Sequence, residues 1–410
     1  MSNNLHLFEG VGIEVEYMIV NSKTLDVQPI CDDLLYAISG TYSPEVSCGN
    51  ISYSNELALH VVELKTTGAA PTLSRLDEPF QEHVAKINER LARFNARLLP
   101  TAAHPWMDPF REMRLWEHEY NAIYESYHRI FDCRGHGWAN LQSTHINLPF
   151  SGDDEFVRLH EAVRILLPIL PALAASSPFL DGKKQSCLDA RLDMYRFNQK
   201  AVASITGKVV PERVESIQDY YRRILEPMYN DIAPFDTERI LQHEWLNSRG
   251  AIARFDRSTI EIRILDVQEC PKADIAIAQA CVFMLRRLVE QNGVFHLDVE
   301  LLSRIFLDCV RDAEKAIIAD QHYLDLFKVK GPITAGQLWM KLLEPLLMST
   351  DPQYSSCKAP LELILRDGSL ASRIVKSWKK IPTKTTLREV YQALSECLAE
   401  GCLYADRSVV

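Results

Sequence analysis

The chain has no C-x-x-C pair. Its ten cysteines are scattered from Cys31 to Cys402, a spacing that makes neither a zinc site nor a disulfide framework. It has no Lys- or Arg-rich run, and its formal net charge of -10 argues against nucleic acid as the main partner. No apolar run is long enough to cross a bilayer; residues 165–175, among the longest, carry Pro168 and Pro171. Met1-Ser2-Asn3-Asn4 lacks the basic and apolar regions of a secretory leader and is expected to lead straight into a strand. Together these absences predict a cytoplasmic protein with reduced thiols and no membrane contact. Two nucleotide signatures are missing as well. Gly10-Val11-Gly12 introduces a strand and not a helix, so it is no Rossmann turn, and Thr206-Gly207-Lys208 lacks the upstream glycine of a P-loop.

What is present is the balance of an ordinary globular protein: 410 residues, 47% hydrophobic and 24% charged, enough for one large domain or two ordinary ones. The first 270 residues mix strands and helices. Strands are predicted at Gly12–Val20, Leu57–Thr66, Leu141–Leu148, Ala251–Phe255 and Thr259–Val267, the last two a hairpin around Asp256-Arg257-Ser258. Long helices are predicted over Leu73–Leu99, from about Met113 to Phe131, and over Asp154–Ala175, broken near its prolines. Ser176–Phe179 opens a loop that runs past Gly182. Beyond Pro271 the spacing predicts only amphipathic helices: Ala273–Gln291, Val299–Ala319, Ala335–Met348, Leu361–Lys380 and Leu387–Glu400. The expected fold class is therefore α+β: an antiparallel sheet with helices on its outer face in residues 1–270. An all-α region, 271–410, packs on it and is not expected to be independent.

The chemistry sits on the strands. In Gly12-Ile13-Glu14-Val15-Glu16-Tyr17, period-two alternation puts Ile13, Val15 and Tyr17 on one face and Glu14 and Glu16 on the other. Two such carboxylates in a cleft need a counter-charge, for which a divalent cation is the usual choice. In the second strand Glu63 shares a face with Val61 and Lys65, an odd place for an unpaired charge. Glu56, seven residues earlier, joins it only if the strand is bulged or begins after a turn. The third strand places Ser143, His145 and Asn147 on one face. The last puts Ile260, Ile262 and Ile264 into a core and leaves Glu261 and Arg263 on the other side. Glu14, Glu16, Glu56, Glu63, His145 and Glu261 make five carboxylates and one imidazole. Oxygen-dominated donors favour Mg²⁺ or Mn²⁺ over zinc. So many acids suggest more than one ion, a seat for a nucleotide triphosphate.

The order G-I-E-x-E (Gly12–Glu16), E-x6-E-L-x-T (Glu56–Thr66), H-x-N (His145–Asn147), a loop with Arg191 (Ser186–Asn198) and T-x-E-x-R (Thr259–Arg263) resembles the glutamate–cysteine ligases. It is most similar to the GCS2 or carboxylate–amine ligase group. The resemblance implies a glutamine synthetase-like half-barrel, a curved antiparallel sheet with metals and ATP inside it. It implies metal ligation by Glu14, Glu16, Glu56, Glu63, His145 and Glu261 and phosphate binding by Arg263. Asn147 and Arg254 are further nucleotide candidates, and Arg191 falls on the substrate side, against either phosphate or the α-carboxylate of glutamate. Arg196 is a lesser candidate. The chain departs from the proteobacterial pattern at Phe197, where an aromatic hydroxyl is expected.

The activity implied is ATP-dependent formation of an amide bond between the side-chain carboxylate of L-glutamate and an amine such as L-cysteine. The expected partners are these small molecules and ATP, and a homodimer is compatible with all of it. Arg263, Arg191 and Glu261 carry the catalytic expectation. The alternatives are a γ-glutamyl ligase with another amine, a two-metal hydrolase, and a non-catalytic relative.

Overall fold

The computed structural model describes residues 5–291, 296–379 and 382–405. Met1–Asn4 lie outside the described residues; the first strand, β1, runs Gly12–Asn21. It is the axis of the sheet. Its inward side chains Ile13, Val15, Tyr17 and Ile19 are all 0% exposed, so alternation was the right reading of this stretch. The strands that follow are β2 (Glu45–Ser47), β3 (Ile51–Asn55), β4 (Val61–Thr66), β5 (Ala96–Leu99), β6 (Ser143–Pro149), β7 (Phe179–Leu180), β8 (Lys183–Lys184), β9 (Ala251–Arg254) and β10 (Thr259–Asp266). The main sheet has the order β2-β3-β4-β1-β6-β10-β9, with β5 pairing the far half of β1, and every pair in it is antiparallel.

One face of the sheet is apolar. Ile13, Val15, Tyr17, Val62, Leu64, Ile146, Leu148, Ile260 and Ile262 pack in one core with the helices Asp77–Leu91, Gly152–Leu166 and Pro271–Glu290. Each such side chain, fully buried, contributes roughly 1.5–3 kcal/mol. The other face carries the charges. Gly12 sits directly across from Asn147, where an added Cβ would lie 3.0 Å from that residue's Cβ. A shift of register between Ile262 and Leu265 bulges β10 against β6, and such bulges bend a strand.

Several elements differ from the sequence expectation, each for a local reason. The helix predicted over Leu73–Leu99 stops at Leu91, and after a short 3-10 turn Asn95 takes φ +53. The chain then reverses into β5. Asn tolerates this left-handed backbone. The stretch between the strands predicted at Gly12–Val20 and Leu57–Thr66, to which the sequence assigns no element, holds the helix Cys31–Ser39 and strands β2 and β3. The strand expected from Leu57 begins only at Val61, and 56–60 is a connection. Tyr120, at φ +73, separates the short helix Pro109–Glu112 from Asn121–Phe131, so no helix spans the predicted range from Met113. The loop after Ser176 contains the small β7–β8 ladder.

The C-terminal third is not wholly helical. The helix from Val299 ends at Asp312, and Ile317–Ile318 (β11) pairs with Ile333–Thr334 (β12). The single helix expected over Leu361–Lys380 is two, Lys358–Asp367 and Leu370–Trp378, parted at Gly368 with φ +92; Lys380 lies outside the described residues. The main core cluster runs from Val11 to Leu398 through both parts of the chain. We therefore propose that residues 271–410 do not fold alone. Expressed separately, they should show no cooperative thermal transition, and a sharp one would contradict this. No described helix is long and apolar enough to cross a membrane.

Candidate active site

The charged face of the sheet is built by register. Glu14 lies across from His145, Glu16 from Glu63, and Glu261 from Asn147. Side chains directly opposed on an antiparallel pair are within contact distance, and like charges so placed repel. Glu56 comes from the β3–β4 connection and still reaches the same point. The turn between those strands supplies the offset that a continuous strand denies it. Carboxylate oxygens of Glu16, Glu56 and Glu63 lie within 4.8 Å of one another, and so do ligand atoms of Glu14, Glu63 and His145. Glu63 is common to both groups.

His145 and its neighbours tie the wall together. Its Nδ1 lies 2.9 Å from Glu14 Oε2 and 3.8 Å from Glu261 Oε1, and its Nε2 lies 2.8 Å from Ser143 Oγ. The Ser143 amide and hydroxyl donate to Glu16 Oε2 at 2.7 and 3.1 Å. Asn147 Nδ2 donates to Glu14 Oε1 at 3.1 Å, while its buried Oδ1 has no partner in the structure. Ser54 Oγ donates to Glu63 Oε1 at 2.6 Å. Arg263 Nε and one Arg254 terminal nitrogen reach the two oxygens of Glu261, at 3.1 and 3.4 Å, and Asp256 holds Arg254 from the hairpin turn.

The electrostatics follow from crowding acids under cover. Burial, with the charges of Glu16 and Glu63, pushes Glu56 well above the usual carboxylate range. Burial and the Glu14 charge push Glu63 up to about 7 despite Lys65 and Ser54. Burial also opposes the charge on Glu14, but the hydrogen bond and charge of His145 overcome it and hold Glu14 at about 2. Burial disfavours the His145 imidazolium. Its bond to Glu14 and the nearby charge of Glu16 nonetheless raise it to about 9. A proton on His145 and a cation at these oxygens thus compete for the same negative charge. Arg263, desolvated yet faced by Glu261, keeps its proton more firmly than usual.

Arg191 occupies a different setting. It is buried, its Nε lies 2.5 Å from Asp266 Oδ1, and it donates to the Ile264 carbonyl at 2.7 Å. Glu16 is near enough to reinforce its charge. Arg196 stacks at 4.2 Å over the exposed ring of Phe197. Tyr195, two places before Phe197, is one of two phenols close to Arg263, the other being Tyr127.

Sequence reasoning passed over several members of this wall. Ser143 was visible as a same-face neighbour of His145. Ser54 lies in the stretch between the first two predicted strands, to which the sequence assigns no element, although Ile51-Ser52-Tyr53-Ser54 alternates. Tyr124, which accepts a hydrogen bond from Asn55 at 3.0 Å and lies near Glu56, left no signal, because its place depends on tertiary packing.

Comparison with known proteins places the chain in a family. The profile of glutamate–cysteine ligase family 2 (GCS2) matches residues 10–392. An uncharacterised protein of Archaeoglobus fulgidus is 32% identical over 394 residues, covering 96% of this chain and all of that one. A Paracoccus denitrificans protein named "Putative glutamate--cysteine ligase 2" is 28% identical over 295 residues, 69% of this chain and 68% of its own. A crystal structure of glutamate–cysteine ligase from Francisella tularensis in complex with AMP superposes with a TM-score of 0.66 at 12% identity. It covers 99% of this chain and 91% of that one, a likeness of fold.

Proposed function

We propose, from the premise that this chain belongs to glutamate–cysteine ligase family 2 and is an ATP-dependent carboxylate–amine ligase, that it joins the γ-carboxylate of L-glutamate to an amine. L-Cysteine is the leading acceptor, the product γ-glutamylcysteine and the setting cytoplasmic. The observation that carries the reading is the excess of acid on one sheet face. Glu14, Glu16, Glu56, Glu63 and Glu261 converge there around a single imidazole.

That donor set fits Mg²⁺ or Mn²⁺. It is rich in oxygen, lacks thiolate and includes three acids that repel one another until a cation joins them. Glu16, Glu56 and Glu63 would hold one ion, and Glu14, Glu63 and His145 another, with Glu261 at its side. Bound there, such ions supply charge neutralisation for a polyphosphate. Arg263 and Arg254, at the Glu261 end, are suited to phosphate oxygens, and the unpaired Oδ1 of Asn147 offers an acceptor to a nucleotide or its ion.

A carboxylate is a poor acyl donor, so the γ-carboxylate first attacks the γ-phosphoryl group in line, giving γ-glutamyl phosphate and ADP. The amine then displaces phosphate. In this account the chain's residues position and neutralise. Arg263 steadies charge on the transferring group, and Arg191, fixed by Asp266, faces the substrate side. The test is an ADP-release screen with glutamate and a panel of amines, followed by mass measurement of the product. The expected result is ADP formation that requires both glutamate and an amine, with an adduct lacking one water. Phosphate release from phosphate esters without ATP would favour the hydrolase alternative.

A further inference from the structure

A second polar site lies behind the sheet, across β3 from the acidic wall. Ser54 points forward and donates to Glu63, whereas its neighbour Tyr53 packs backward against the helix Asp77–Leu91. Between that helix, the end of the helix Cys31–Ser39 and the β2–β3 turn is a cavity of about 320 Å³, a size that suits a small ligand. His83, Lys86, Ile87 and Arg90 line it at the i, i+3, i+4, i+7 spacing of one helix face, and Arg93 follows in the turn beyond.

The floor is a pair of buried side chains. The Tyr53 hydroxyl lies 2.5 Å from His83 Nδ1, and each residue is 3% exposed. Burial and the charge of Lys86 hold His83 below the usual imidazole range, so the ring stays neutral and the phenol supplies the proton of that bond. The ring's own proton is then on Nε2, which has no partner among the described residues. The half-buried thiol of Cys48 is within reach of the same phenol. Above this floor Arg90 gives one bond, to the Ala37 carbonyl at 3.3 Å, and Glu82 engages Lys86 at 2.7 Å. The Arg93 guanidinium has no partner among the described residues.

Basic residues in the last turn of a helix are ordinary, since they complement its dipole. A neutral imidazole beneath them, its N–H left over at the cavity wall, is not explained that way. That N–H, the ammonium and the two guanidiniums all donate and none accepts, so the ligand that satisfies them carries anionic oxygens. Glu89 is the one acid that lines the cavity, and Ile38 and Ile87 offer apolar surface to a carbon skeleton.

We propose that this cavity binds a small organic polyanion, whose phosphate or carboxylate groups meet Arg90, Arg93 and His83 Nε2. The site goes beyond the ligase reading and does not depend on it, because the two lie on opposite faces of the sheet.

The test is isothermal titration of the full chain with glycerol 3-phosphate and with citrate. EDTA in the buffer strips cations from the acidic wall and leaves it repelling anions. At least one probe should bind, one per chain, and which of them does so tells phosphate from carboxylate. Arg90→Met and Arg93→Met should each weaken binding roughly tenfold, whereas Arg129→Met, which removes an arginine outside the cavity, should not. Arg93 is exposed, so its variant keeps the test open should Arg90→Met disturb the packing on Ala37. The bound anion should also slow alkylation of Cys48 by iodoacetamide, read by peptide mass, while Cys402 reacts at an unchanged rate. No binding of either probe, binding unaltered by both cavity substitutions, or Cys48 labelling unchanged at saturation would each overturn the proposal.

Discussion

Two kinds of buried charge occur in this molecule. In one, acids and bases balance. Arg373 gives Glu269 two bonds, at 2.6 and 3.3 Å, and donates to the Tyr404 carbonyl, tying the C-terminal segment to the end of the sheet. Arg164 likewise meets Glu161 at 2.7 Å and spends its other nitrogens on the Pro211 and Leu297 carbonyls. On the open face of the sheet the books do not balance. Five carboxylates crowd around His145, with Lys65 beside Glu63 and with Arg254 and Arg263 beside Glu261, and two of the acids, Glu56 and Glu63, are driven up by burial and by their neighbours. Balanced pairs hold the fold together. An excess of one sign, kept under cover at a cost in stability, marks the place where a ligand of the other sign belongs.

The comparison can be broken from either side. The largest effect is expected at Glu261, which faces both Arg263 and Arg254. Glu261→Gln changes charge and hardly size, so ADP release at saturating Mg²⁺ should fall by about two orders of magnitude or more while the melting temperature stays put. Near wild-type turnover would remove Glu261 from the metal site. Arg373→Met should do the reverse, leaving the wall intact while stranding Glu269 in the core. Denaturant unfolding should show a loss of about 3–5 kcal/mol, and a neutral result would put this pair in the wrong class. Arg263→Met is expected to cost ~2–4 kcal/mol in transition-state binding, read mostly in turnover. A change confined to the apparent affinity for ATP would contradict that role. The smallest effect sharpens the contrast most. Glu56→Gln relieves repulsion with Glu16 and Glu63, so in EDTA at mildly alkaline pH it should stabilise the protein by about 1 kcal/mol. A destabilised variant would mean that Glu56 is structural after all.

Much of this was legible in the primary structure because period-two alternation sorts side chains by face. Ile13, Val15 and Tyr17 against Glu14 and Glu16, or Ile260 and Ile262 against Glu261, needed no coordinates to be told apart. The order of the five motifs carried the family. What alternation cannot convey is where a strand begins once a turn intervenes. Glu56 looked out of phase with Glu63 for that reason, and Asn95 and Tyr120 broke helices whose apolar spacing ran on past them. Pairings made across the chain were invisible too. Nothing in the sequence links Arg191 to Asp266, or Lys65 to Glu45, because each contact depends on strands and loops brought together only by the fold.

The account turns on cations lying between the acids of the sheet's open face. Crystals grown with Mn²⁺ and an ATP analogue, measured at the manganese absorption edge, test this most directly. Anomalous peaks should appear among Glu16, Glu56 and Glu63 and among Glu14, Glu63 and His145. A map with nucleotide bound but no peak at either place would contradict it.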